Sequence, residues 1–191
     1  YWSGTICNWC HHYIKEDYSK KTFITDEISE GAVAFRRKVF EKSGYYPSTF
    51  FISYEGTDLS CRMLDVGYKT IFCPEIVVRH KHAQQGRPGW RRYYYDTRNQ
   101  IWFVVRNYPI TWGIRYLARG LGAMLLYSVR DGFFRYWIKG VWDGVKAFPA
   151  VAKERKLLGD KALATLREIG THRPGMIYML KNRIFQRGVR I

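Results

Sequence analysis

Apolar positions follow two different rhythms along the chain. Upstream of residue 80 they alternate or cluster in short runs. From residue 91 onward they recur at three- and four-residue spacing. The first regime predicts strands over 5–9, 23–28, 32–36, 69–72 and 76–79. Val33 and Phe35 share one side of the pleat, and Pro74 breaks the last pair. Two short helices interrupt it, over 38–42 and 57–65, closed by Gly44 and Gly67. The second regime predicts helices over 91–107, 110–129, 131–146 and 150–169, with a break at Gly159, and a last one over 175–186. Pro109, Pro149 and Pro174 mark the boundaries.

Charge divides at the same place. Of 191 residues, 32 are Lys or Arg and 16 Asp or Glu, a net +16. Residues 1–80 balance ten against ten. Residues 81–191 hold 22 Lys and Arg against six Asp and Glu, so the whole excess lies there. Such asymmetry implies an anionic partner: a membrane surface, nucleic acid or a phosphorylated substrate. Between residues 110 and 146 the longest charge-free run is the ten residues 120–129. A spanning helix needs about 20 apolar residues, so no crossing is expected. Trp112, Tyr116, Tyr127, Phe133, Phe134, Tyr136, Trp137 and Trp142 alternate with Arg115, Arg119, Arg130, Arg135, Lys139 and Lys146. That mixture suits a helix lying in a membrane interface. The plain alternative is an amphipathic helix packed on its neighbour with solvated basic residues.

The chemistry-bearing stretch runs from Phe50-Phe51 through Glu55, Gly56, Asp58-Leu59 and Arg62 to Gly67-Tyr68, Pro74 and His80. Glu55 and Asp58 stand at a predicted helix start, where backbone N–H groups and the helix dipole favour an ionised carboxylate. Taken alone, the pair reads as helix capping. In this order, however, the stretch resembles the acceptor-side half of an inverting family 2 glycosyltransferase of the GT-A fold, of the polysaccharide and rhamnosyl-transferring kind. Upstream, Gly31-Ala32 and Arg36-Arg37 fit the resemblance. Downstream, the aromatic-rich segment through Arg98-Asn99 to Arg106-Asn107 fits it too. Roughly residues 20–110 are covered.

The resemblance implies an α/β fold: the C-terminal half of a GT-A, Rossmann-like domain over 1–90, then a basic, mostly helical tail over 91–191. It implies transfer of a sugar from a nucleotide-sugar to a polysaccharide or lipid-linked glycan, with inversion. The catalytic base of the family falls on Gly56, which cannot accept a proton, so Glu55 or Asp58 must serve. Glu55 is favoured, because Asp58 suits a helix cap. Gly31, Arg62, Arg91 and Arg92 are the implied substrate contacts. His80, with His82 as alternate, lies beside a divalent cation, Mg²⁺ or Mn²⁺. Lys81, Arg87, Arg91 and Arg92 would steady either the leaving diphosphate or a mobile lid, which Gly86, Pro88 and Gly89 suggest.

No Asp-x-Asp occurs, and no Gly-rich phosphate loop follows a strand. The donor-binding half and most of the cation's ligands are therefore expected in sequence before Tyr1. This chain alone would then turn nothing over. The implied place of work is cytoplasmic, peripheral on the inner face of the cell membrane. A basic, aromatic nucleic-acid-binding module is the competing class, though no nucleic-acid motif is present. Cys7-Asn8-Trp9-Cys10-His11 matches a haem-attachment pattern that nothing else in the chain supports, and a zinc site there lacks further ligands. Cys61 and Cys73 read as reduced core thiols.

Overall fold

The computed structural model describes residues 21–28, 31–78, 89–172 and 177. Two strands, β1 (Phe23–Thr25) and β2 (Thr70–Phe72), pair antiparallel with Phe23 opposite Phe72. Their rings stack at 4.8 Å over Ile169. Around them run α1 (Arg37–Ser43), α2 (Glu55–Asp65), α3 (Trp90–Asn107), α4 (Ile110–Arg130), α5 (Phe134–Lys146), α6 (Phe148–Ala152) and α7 (Asp160–Thr171).

Local chemistry sets the ends. Gly44 and Gly67 close α1 and α2 at φ 76° and 86°, where a β-carbon is disfavoured. Tyr68 N–H returns to the Met63 carbonyl, which finishes α2. Pro109 precedes α4, and Gly132 at φ 76° turns the chain into α5.

Helix α3 is the spine. Its Ile101, Trp102, Phe103, Val104 and Val105 are buried with Phe50, Cys61 and Leu64 from upstream and with Val151, Leu158, Leu163 and Leu166 from downstream. One core therefore joins residues on both sides of position 90. A smaller cluster of Ile28, Val39, Leu59 and Met63 seats α1 on α2.

The structure departs from three of the strand expectations. Residues 32–36 and 76–78 form no ladder. Among the described residues they have no strand to pair with, and a strand without a partner leaves its N–H and C=O groups to water. Val33, Ile76, Val77 and Val78 are accordingly exposed. Only Phe23–Thr25 of the expected 23–28 pairs.

The expected helix over 150–169 is two helices, and the gap exceeds one glycine. Residues 153–159 instead strap the end of α3. Lys156 and Leu158 N–H donate to the Arg106 and Asn107 carbonyls, and Arg155 donates to those of Val105 and Tyr108. The orphan carbonyls of a helix C-terminus take precedence there over a continuous helix. Pro149, expected as a boundary, sits inside the first turn of α6, where its missing N–H costs nothing.

Cys61 is buried as expected. Cys73 is only half-buried, and its thiol donates to Glu75, which raises the thiol's pKa. The expected strand over 5–9, Cys7, Cys10, His80, Lys81, His82, Arg87, the expected lid and the helix over 175–186 lie outside the described residues.

Candidate functional site

The start of α2 is built on a strained turn. Phe51, Ser53 and Tyr54 hold φ of 66°, 75° and 69°. Left-handed backbone costs a non-glycine residue about 1–2 kcal/mol, and three such residues in four persist only when surrounding structure holds them. Asn99 on α3 does the holding. Its buried side-chain amide donates to the carbonyls of Phe50 (3.0 Å), Ile52 (2.7 Å) and Ser53 (2.8 Å). Arg98 donates to the Phe50 carbonyl as well and fixes the Asn99 amide through Oδ1. The strained turn leaves Phe51 72 % exposed against the Tyr95 ring, 5.5 Å away.

Glu55 is the first residue of α2, two residues earlier than the expected helix start. It is half-buried, and its Oε2 is enclosed without a hydrogen-bond partner. A buried carboxylate oxygen left open is costly unless something uses it. Gly56, the position where the resemblance would put a base, is buried in α2, and Glu55 beside it is the less buried of the two α2 carboxylates in the first turn.

A second carboxylate joins this corner. Asp96 on α3 accepts from the Ser53 hydroxyl at 2.6 Å, with Arg92 Nε 3.7 Å from its other oxygen. Burial pushes the Asp96 carboxyl above its ordinary 3.8. The Glu55 charge adds to the rise, against the lowering influence of Ser53 and Arg92.

That direction fixes a pH dependence. The folded state holds the Asp96 proton to higher pH than the unfolded chain does. Stability from this group is therefore lost as pH rises from 3.8 through the raised folded value. Asp96→Asn keeps an acceptor for Ser53 and removes the charge. Urea titrations between about pH 4 and 7 should find the variant more stable than the parent at neutral pH, with the gap closing on acidification. A variant less stable at pH 7 would contradict this.

Asp58 is not the helix cap that the sequence suggested. It lies in the fourth position of α2 and is fully buried. Oδ2 accepts from Arg62 Nε at 2.8 Å. Oδ1 accepts from Arg106 Nε at 3.0 Å and Asn107 Nδ2 at 2.7 Å. The actual N-cap, Tyr54, makes no side-chain cap bond. Arg62 turns inward too. Its two remaining nitrogens donate to the carbonyls of Ser43 and Tyr45, at the end of α1. Its fork is thus occupied by protein acceptors.

Arg91 and Arg92 open α3 and are exposed, and Gly31 lies exposed in a turn. The structure thus groups Glu55 with Asp96 and Arg92, and sets Asp58 and Arg62 in a separate buried cluster. Asp96, Ser53 and Asn99 are the site residues that sequence reasoning missed. The downstream Arg-Asn segment was the signal, without a role attached. A hollow lined by Thr49, Phe50, Trp102, Arg106, Val151 and Glu154 includes neither Glu55 nor Asp96 in its wall.

Among the described residues no three His, Cys, Asp or Glu side chains gather as a metal site. A cation here would need ligands from elsewhere. No helix among the described residues is long and apolar enough to cross a membrane.

No family model matches the chain, and no solved structure does. Two curated proteins do: the O-antigen chain rhamnosyltransferases RfbN of Salmonella typhimurium and WbaN of Salmonella anatum. Each is 34 % identical over 80 residues, which is 42 % of this chain. The match covers 25 % of each relative, so the chain spans about a quarter of their length.

Proposed function

We propose that this chain is the acceptor-side part of an inverting glycosyltransferase, with Glu55 as its catalytic base. The observation that carries the reading is the corner at the start of α2. There a carboxylate with an unpartnered oxygen stands on a turn kept in strained geometry, next to a second carboxylate whose pKa burial raises. The partial likeness to two O-antigen rhamnosyltransferases supports the reaction class and suggests rhamnose as the sugar.

In the proposed step the acceptor hydroxyl oxygen attacks the anomeric carbon of the donor. The bond from that carbon to the diphosphate oxygen breaks on the opposite face, and the hydroxyl proton passes to Glu55. Arg91 and Arg92, at the positive end of the α3 dipole, face the charge that builds on the leaving diphosphate. A divalent cation, Mg²⁺ or Mn²⁺, held mainly outside this chain with His80 beside it, would share that charge. The donor is a nucleotide-sugar. The acceptor is a polysaccharide or lipid-linked glycan, met on the inner face of the cell membrane.

The test is the full-length protein supplied with nucleotide-activated rhamnose and a lipid-linked glycan. Transfer with an inverted anomeric centre, read by NMR of the product, is the expected result. Retention, or no transfer from any nucleotide-hexose, would discard the reading.

A further inference from the structure

Helix α5 is built inside out. A helix packed on a core ordinarily turns its large apolar residues inward. Here the inward residues are Gly140 and Gly144. A β-carbon at Gly140 would come within 2.7 Å of the Tyr94 carbonyl oxygen, and one at Gly144 within 2.7 Å of Ile101 Cδ1. The helix is thus pressed onto α3 by its glycines, locked by Trp102 Nε1 donating to the Gly144 carbonyl at 3.1 Å and by Tyr94 donating to Asp143 at 2.7 Å.

Four large apolar residues point the other way. Phe134, Ile138, Trp142 and Val145 are 42 %, 48 %, 68 % and 58 % exposed. At about 100° per residue they fall in one stripe roughly 80° wide. Arg135, Lys139 and Lys146 border that stripe on one side. Lys139 is 62 % exposed while paired with Asp143 at 2.9 Å.

Helix α4 repeats the arrangement. Gly113 and Gly120 meet Val104 and Gln100 of α3, while Ile110, Ile114 and Val129 are exposed beside Arg115, Arg119 and Arg130.

We infer that the outward face of α5, with that of α4 beside it, is a docking surface for an anionic lipid bilayer. The apolar stripe enters the leaflet, and the bordering Arg and Lys lie at the headgroups. Charge complementarity selects this occupant. Residues 110–146 carry six basic and two acidic side chains, and on α5 the basic ones flank the apolar stripe instead of interrupting it. Depth is limited to the interface, because no described helix can cross. A single-stranded nucleic acid would want exposed rings for stacking. This face offers Phe134 and Trp142, but they are interleaved with the aliphatic Ile138 and Val145, while Tyr127 is buried and Trp112 and Tyr116 pack on the core. The inference deepens the membrane placement proposed above and rests on that placement, but it does not depend on the chemistry of Glu55.

Flotation of the whole chain with vesicles of phosphatidylcholine and phosphatidylglycerol tests it. The chain should float with these vesicles and not with phosphatidylcholine alone, and added salt should weaken the binding. Ile138→Ser with Trp142→Ser should reduce binding about tenfold or more, with the circular dichroism unchanged because neither side chain is part of the buried core. Lys139→Glu with Lys146→Glu should reduce it as well. Unchanged binding after the apolar pair, resistance to carbonate extraction, or capture of a generic RNA in place of vesicles would each overturn the inference. Vesicle binding without sugar transfer would leave this surface standing and remove only the reading of Glu55.

Discussion

Glu55→Gln in the full-length protein should lower turnover by about 10²–10⁴-fold, the contribution of a positioned base, and should leave the unfolding midpoint nearly unchanged. The two halves of that expectation have separate reasons. Loss of rate follows because an amide cannot take the acceptor proton. Retention of stability follows because Oε2 has no hydrogen-bond partner to lose. Removing it also relieves the neighbouring Asp96 of a like charge. Since the base acts only as the proton leaves, kcat and kcat/KM should fall together while donor affinity holds. Full turnover by the variant would end the assignment. A fall in stability matching the fall in rate would make Glu55 a structural residue.

The sequence announced the helices well and their neighbours poorly. Helices α2, α3 and α4 begin and end within about two residues of the periodic pattern and its Gly and Pro stops, because those signals are local. The strand expectations failed where pairing decides, since a pleated pattern says nothing about whether a partner exists. The strap over 153–159 was invisible because its cause, the open carbonyls at the end of α3, lies some fifty residues upstream. The same holds at the site. Ser53 meets Asp96 across 43 residues and Asn99 meets Phe50 across 49, so no spacing rule connects them. The inverted face of α5 was partly legible, because Gly140 and Gly144 stand one turn apart opposite the apolar stripe. A reading by aromatic content alone passes over that.

Asp58→Asn is the substitution expected to harm the fold most, by about 3–5 kcal/mol, the usual consequence of removing one partner from a buried ion pair. Asp58 is fully buried, and its two arginines are nearly so, with side chains 13 % and 11 % exposed for Arg62 and Arg106. Arg62 carries the connection to the end of α1 through the Ser43 and Tyr45 carbonyls. Arg106 carries it to Glu154 beyond α6 and stands over the Phe50 ring. One carboxylate therefore neutralises two cations that fasten α1, α2, α3 and the strap together. Without its charge, Arg62 faces only neutral carbonyls, in surroundings too dry to hydrate it. Small domains are stable by about 5–15 kcal/mol in all, so the loss should appear as a large fall in the urea midpoint of this chain at unchanged slope. Arg62→Met with Asp58→Asn should recover part of it, since an apolar isostere removes the stranded charge. A change under about 1 kcal/mol would refute the structural role. If turnover vanished with that stability intact, Asp58 and not Glu55 would be the base.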